Sequence, residues 1–249
     1  MASEVEQDYS QPVLPGPGAS DYERYLRTDE LLSLQKTPEE MVHRDELLFQ
    51  TVHQSSELWL KFACFEVETA TQHLRGHEPA AALRLLRRAA ECLKIATGLL
   101  DMLEQMSPWE YQTIRRVLGH GSGFDSPGFR EVRRVTPPLG EAFEQAIAGA
   151  GLDMVEVYVQ GREHEQLYQL AEALVEWDER VTMWRIRHYK VVARIIGDQV
   201  VGTQGTPVEV LGKMIHHNFF PALWRARNQL TARAKEEEAD ETEVPGHGR

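Results

Sequence analysis

Two histidines in this chain occupy positions where an imidazole can do chemistry. From Leu170 onward, apolar residues recur at Leu174, Trp177, Val181, Trp184, Val191 and Ile195, in steps of four and three. Such steps lay side chains along one stripe of a helix, and the one gap in the stripe is filled by His188. His53 shares a stripe with Phe49, Ser56 and Leu60 on a second apolar helix pattern. Taken alone, each reads plainly as a core histidine with a satisfied ring, or more sharply as an axial ligand to a buried metal or haem. Two on facing helices point to a pocket. A di-iron centre of the ferritin type needs inward Glu-x-x-His pairs, and neither long helix carries that spacing. A facial two-histidine, one-carboxylate site is open by spacing, although no HxD or HxE lies near either residue. A haem with one histidine below and the other above fits more simply.

The remaining histidines (His43, His73, His77, His120, His164, His216, His217 and His247) fall mostly in polar surroundings and read as solvated. Arg115 stands among apolar neighbours beside a glycine-rich loop. It reads as an ion-paired surface residue or as a bidentate partner for a substrate carboxylate. That loop, GHGSGFDSPG at 119–128, follows no strand pattern and breaks the GxGxxG spacing, which argues against a nucleotide site.

The elements that must position these residues read as helices throughout. A helix is expected over DYERYLRTDELLSLQ from 21 to 35, and another over 44–75, where Leu48, Val52, Ser55, Trp59 and Phe62 add a second stripe beside that of His53. A third pattern covers 78–105. Ser107-Pro108-Trp109-Glu110 is a helix start, with a serine cap, proline at the first position and glutamate three after the cap. A short helix is expected from Leu139 to Ile147, the His188 helix over about 161–197, and a last helix from Val208 to Ala234, kinked at Pro221. Residues 1–19 read as a flexible arm and 235–249 as a disordered acidic tail. No alternating strand pattern exists, so the expectation is one all-α domain over 20–234, a bundle of four long helices and several short ones.

Composition narrows the partners. The 249 residues carry a net charge of −12, with 42% hydrophobic and 27% charged residues. Without a basic cluster, nucleic acid is not expected as a partner. No apolar run reaches the ~20 residues of a membrane span, and MASEVEQDYSQPVLPGPGAS lacks the pattern of a secretory signal. Cys64 and Cys92 are the only cysteines, which excludes a disulfide framework and a thiolate zinc site. A cytoplasmic protein is expected.

Several segments resemble the tryptophan 2,3-dioxygenase superfamily of haem enzymes: YERYLRTDELLSLQ (22–35), DELLFQTVHQSSELWLKF (45–62), SPWEYQTIRRVLG (107–119), GSGFDS (121–126), WRIRHYKVVARIIG (184–197), GT (202–203) and FFP (219–221). They occur in family order and cover about 20–130 and 175–230. The resemblance implies haem b as cofactor and O2 as co-substrate, with His188 as the axial ligand to iron. It implies His53 as the distal histidine bonding the substrate's indole nitrogen, and Phe49 as the indole-pocket wall. Arg115, with Tyr111 beside it, matches the clamp on the amino-acid carboxylate. Ser122 matches a serine of the distal loop, and Thr203 the threonine whose loop receives the ammonium group. Tyr22 and Tyr25 match tyrosines that reach a neighbouring subunit's pocket, and the family's homotetramers imply an oligomer here.

The chain departs from the family in places. The loop after the proximal helix reads DQVVGTQGTPV (198–208) where the family has FKRGTGGSSG, so a glycine has become Gln204 and two basic residues are absent. The distal loop reads GFDSPGFR against GFQSxQYR, a leucine near Leu100 replaces a tryptophan, and the chain is shorter around 131–165. The function implied is oxidation of the indole ring of L-tryptophan or a derivative, by 2,3-bond cleavage to an N-formylkynurenine-type product. Monooxygenation to a 2-oxindole in secondary metabolism is the alternative, and a non-catalytic haem sensor is the alternative of another class.

Overall fold

The computed structural model describes residues 11–243. Among them every regular element is a helix: α1 (Asp21–Leu26), α2 (Thr28–Leu32), α3 (Asp45–Arg75), α4 (Pro79–Leu103), α5 (Pro108–Arg115), α6 (Pro127–Gly149), α7 (Glu156–Val159), α8 (Glu165–Ile196), α9 (Glu209–Met214) and α10 (Pro221–Glu243), with a short 3-10 turn at Gly123–Asp125. A single bridge, Val201 with Pro207, is the only β-type pairing among the described residues. The fold is all-α.

Four long helices build the bundle: α3 packs along α4 and α6, and α4 along α8. One apolar cluster, including Leu60, Val67, Leu86, Leu93, Leu139, Leu174 and Trp177, forms the main core. A smaller one joins Val52, Leu100, Leu103, Met106, Ile114, Val191 and Ile195, with Phe49, Tyr111 and Trp184 packed against it. The apolar stripe of α8 serves both: Leu170, Leu174, Trp177 and Val181 belong to the first cluster, Val191 and Ile195 to the second. His188 falls where the stripe passes from one to the other.

Buried polar groups on α8 hold the C-terminal segment in place. The Asp178 carboxylate accepts hydrogen bonds from the Phe219 N–H at 3.0 Å, the Phe220 N–H at 3.3 Å and Trp224 Nε1 at 2.9 Å. It anchors the two residues that lead into α10, and one side chain of its first turn, from another helix. Two turns along, Arg185 donates to the carbonyls of His217 at 2.8 Å and Met214 at 3.3 Å. Trp177 Nε1 donates to the buried Thr136 hydroxyl at 3.0 Å, tying α8 to α6. Arg187 bridges α8 to α4 through Asp101 and Glu104.

Several elements differ from the sequence expectation. The helix over 21–35 breaks at Arg27, which takes a left-handed conformation with φ 54° and separates α1 from α2. The helix expected to start at Leu139 starts at Pro127, with Pro137 and Pro138 inside it. Proline removes a backbone donor, but Val132, Val135, Leu139, Phe143 and Ile147 keep one buried face on either side of the pair. Pro221 does not kink a helix from Val208; it opens α10, and α9 is a separate short turn. Helix α10 also continues to Glu243, past the boundary expected at 234. On α3, Trp59 and Phe62 are 36% and 40% exposed, and the buried positions are instead Leu60, Ala63, Cys64 and Val67.

Of the arm expected over 1–19, residues 1–10 lie outside the described residues. Beyond them the Asp21 carboxylate accepts the Val13 N–H at 2.9 Å and the Leu14 N–H at 2.7 Å, so this stretch lies back on α1. The tail residues 244–249 are likewise outside the described residues. Both cysteines are buried and free, and burial pushes the Cys64 thiol up to about 12. No helix among the described residues is long and apolar enough to cross a membrane.

Candidate active site

A cavity of about 500 Å³ opens at the smaller apolar cluster, between α3, α5, the start of α6, α8 and the loop 197–208. His188 lines it from α8 and His53 from α3. A larger groove of about 670 Å³ beside Arg87, Glu172, Glu176 and Arg180 shares no lining residue with it and holds no histidine. Both inward histidines line the smaller cavity.

Desolvation, with the neighbouring His53 acting in the same direction, pushes the His188 imidazole down to about 4. The ring is therefore neutral at physiological pH, with a nitrogen lone pair available. Trp184, one turn earlier on α8, stacks on it at 4.7 Å between ring centroids and 14° between planes. This stacking orients the ring. Phe129 lies against the indole at 3.9 Å, and Trp184 Nε1 is buried without a hydrogen-bond partner.

Burial also lowers the His53 pKa, against the opposing effects of the Phe49 carbonyl and the Glu57 charge. His53 Nδ1 sits 2.7 Å from the Phe49 carbonyl oxygen. A carbonyl only accepts, so Nδ1 carries the proton and Nε2 remains an acceptor. Phe49 packs against His53 at 4.0 Å and against Tyr111 at 6.1 Å, forming an aromatic wall. Burial raises the Tyr111 phenol above its ordinary range, so it stays protonated.

The rim is polar. Arg115 donates to the Val201 carbonyl at 2.6 Å. The Thr203 hydroxyl donates to the Gly121 carbonyl, and Gln204 Nε2 to Asp125 Oδ2 at 2.6 Å. Ser122 and Asp125 cap each other across the 3-10 turn. Thus the loop after α8 and the glycine-rich loop before α6 are joined over the cavity mouth.

Seven of the sequence-derived site residues, Phe49, His53, Tyr111, Arg115, Ser122, His188 and Thr203, line this one cavity. Tyr22 and Tyr25 do not: they are 68% and 77% exposed on α1. Sequence reasoning missed four contributors. Glu57, one turn after His53, accepts from the Ser126 hydroxyl at 2.5 Å and the Gly128 N–H at 2.8 Å, fixing the start of α6. Gly128 is needed because a Cβ there would lie 2.7 Å from Leu60 Cβ and from Glu57 Oε2. Asp125 and Gln204 join the two loops. Glu57 was legible from its i+4 spacing to His53; the others depend on contacts distant in sequence.

Among the described residues no group of three or more His, Cys, Asp or Glu side chains could hold a metal ion. The facial-triad alternative therefore lacks its donors. The donor set is one neutral imidazole facing an apolar cavity, which suits a metal that arrives with its own equatorial ligands, as haem does. Trp184, Phe129, Val191 and Ile195 furnish apolar walls for a flat macrocycle. The residues present fit haem.

Fold and site together define the class: an all-α protein with an apolar cavity lined by two histidines whose pKa values burial lowers. The family model for tryptophan 2,3-dioxygenase matches residues 7–147 and 140–230, its two segments meeting inside α6. Tryptophan 2,3-dioxygenase of Pseudomonas aeruginosa (strain UCBPP-PA14) is 30% identical over 276 residues, covering 90% of this chain and 95% of the relative. That of Myxococcus xanthus is 30% identical over 265 residues (86% and 91%), and that of Bacillus anthracis 30% over 260 residues (84% and 92%). The chain belongs to the tryptophan 2,3-dioxygenase family, whose members are haem-dependent oxygenases.

Proposed function

We propose that this chain oxidises the indole ring of L-tryptophan or a close derivative, inserting both atoms of O2 across the 2,3-bond to give an N-formylkynurenine-type product. The observation that carries this reading is the convergence of a neutral His188, a neutral His53 and Arg115 on one apolar cavity. His188 would hold haem b through a ring nitrogen, and the haem iron would supply the binding and activation of O2. Arg133, lining the cavity from an exposed position, is a cation suited to the cofactor's acidic side groups.

His53 Nε2 accepts the indole N–H, so the ring is oriented by a directional bond as well as by the Phe49 wall. Arg115 exchanges the Val201 carbonyl for the substrate carboxylate, a stronger, charge-assisted partner. The Thr203 hydroxyl retains acceptor lone pairs for the ammonium group. Tyr111 stays a neutral donor beside Arg115, and Ser122 keeps the distal loop capped over the mouth. Together these contacts hold the reacting ring in one pose and exclude water, which is where positioning lowers a barrier. Both oxygen atoms end in the product, so no external reductant enters the balance.

An oligomer, in the family's case a tetramer, is part of this reading. The support is the exposure of Tyr22, Tyr25, Phe65 and Trp109 on the protomer surface, which is apolar area that association would cover.

The test is product mass after turnover of L-tryptophan with isotopically labelled O2. Incorporation of two labelled atoms is expected. Incorporation of one, with the second released as water at the expense of a two-electron reductant added to the assay, overturns dioxygenation in favour of the 2-oxindole reaction; no O2 uptake with tryptophan or its ring-substituted analogues, with or without that reductant, overturns both.

A further inference from the structure

An amino-acid substrate carries two charges, and Arg115 answers only one. An ammonium group entering an apolar cavity needs an anion or several neutral acceptors. Two carboxylates line the cavity, Glu57 and Asp125. Glu57 is engaged at both oxygens, by the Ser126 hydroxyl and the Gly128 N–H. Asp125 differs. Its Oδ2 accepts from the Ser122 N–H at 3.1 Å and from Gln204 Nε2 at 2.6 Å, while among the described residues its Oδ1 accepts no hydrogen bond. Neither partner, a backbone N–H and a side-chain amide, carries a charge that would offset a carboxylate at the cavity mouth.

The loop segment that meets Asp125 also meets Arg115. Val201 offers a carbonyl oxygen to the guanidinium, and three residues on, Gln204 offers an amide N–H to the carboxylate. An acceptor against the cation and a donor against the anion is the polarity that an α-amino acid presents with its carboxylate and ammonium. We propose that Asp125 binds the α-ammonium group of the substrate together with the neutral acceptor of the Thr203 hydroxyl, and that Gln204 covers this carboxylate while the cavity is free of substrate. The inference rests on the reading of Arg115 as the carboxylate partner. It confines the substrates to indole amino acids with a free α-amine, because an N-acyl group brings no charge and adds bulk at Asp125.

The test is anaerobic equilibrium dialysis of the haem-loaded protein with three ligands: L-tryptophan, tryptamine, which lacks the carboxylate, and indole-3-propionate, which lacks the ammonium. Asp125→Asn keeps an oxygen acceptor for Ser122 and Gln204, so the loop's hydrogen bonds survive. It is expected to weaken L-tryptophan and tryptamine about tenfold, the effect of one charge-assisted bond at an exposed site. Indole-3-propionate should stay within about twofold, since its affinity includes no bond to Asp125. Gln204→Ala uncovers the carboxylate and should bind L-tryptophan at least as tightly as the parent. Equal weakening of all three ligands by Asp125→Asn, or no change in any, overturns the proposal. Arg115→Ala separates the two readings: it should weaken L-tryptophan and indole-3-propionate and spare tryptamine. If tryptamine falls equally, the carboxylate reading fails by itself, whatever Asp125→Asn does.

Discussion

Replacing Gly128 with alanine puts a methyl group where α6 crosses α3. The new Cβ would lie 2.7 Å from Leu60 Cβ, Leu60 Cδ1 and Glu57 Oε2. Carbon–carbon contacts are most favourable at about 3.5–4.0 Å, so the helices must part by roughly an ångström. Leu60 is fully buried in the main core, and Cβ moves only with the backbone of α3, so repacking one side chain cannot relieve the contact. Overpacking of this kind costs about 1–3 kcal/mol. Displacing α6 also stretches the Glu57 bonds to Ser126 and Gly128, each worth about 1.5–3 kcal/mol as a bond to a charged group. The expected loss is therefore about 3 kcal/mol, or on the order of 6–12 °C in Tm for a chain of this size. Denaturant unfolding monitored by circular dichroism measures it. Because residues 122–126 lead directly into α6, L-tryptophan affinity should fall along with stability. A Gly128→Ala protein within 0.5 kcal/mol of the parent (about the scatter of neutral surface changes) would refute this account of the α3–α6 contact.

Three further outcomes are expected. His188→Ala should keep its helical circular dichroism but lose the Soret band on haem reconstitution; a retained band would mean another residue holds iron. Asp178→Ala leaves the Phe219, Phe220 and Trp224 donors without their acceptor and should cost about 3 kcal/mol or more, whereas a loss below about 1 kcal/mol would show that water replaces the carboxylate. The third concerns pH. Burial depresses the His53 pKa below its ordinary value of 6.5, so the folded protein takes up this proton only below that pH, after the unfolded chain does. The His53 contribution to stability is thus lost as pH falls through and below about 6.5. L-tryptophan affinity should be flat above that point and decline beneath it, as protonation removes the Nε2 acceptor. His53→Phe should lack this acid limb, and an unchanged limb in that variant would assign it to another group.

The stripes on α3 and α8 were legible because helical periodicity is local: steps of three and four identify the buried face without any partner. That was sufficient to mark His53 and His188 as inward-facing and to establish an all-α bundle. It misled where burial depends on neighbours. Trp59 and Phe62 continue the periodicity of α3 but stay 36% and 40% exposed, and Pro137 and Pro138, helix breakers in isolation, are carried within α6 by the face that packs on α3. Ser107 and Pro108 start α5 as their residue types predict, since capping involves residues only three apart.

By itself, then, the sequence determined the helical class, the inward imidazoles and the arginine at the edge of a glycine-rich loop, all properties of short segments. Tertiary structure alone decided what these residues meet. The Glu57 bonds to the start of α6, the Asp178 bonds to the segment entering α10 and the Gln204–Asp125 contact join positions 41 to 79 residues apart. No local propensity encodes such pairings; they exist only once two independently formed helices have packed and brought their loops to the same cavity mouth. His188 shows the same division. Its place on a helix face follows from spacing, while its neutrality and its orientation by Trp184 follow from the desolvated cavity that the folded bundle encloses.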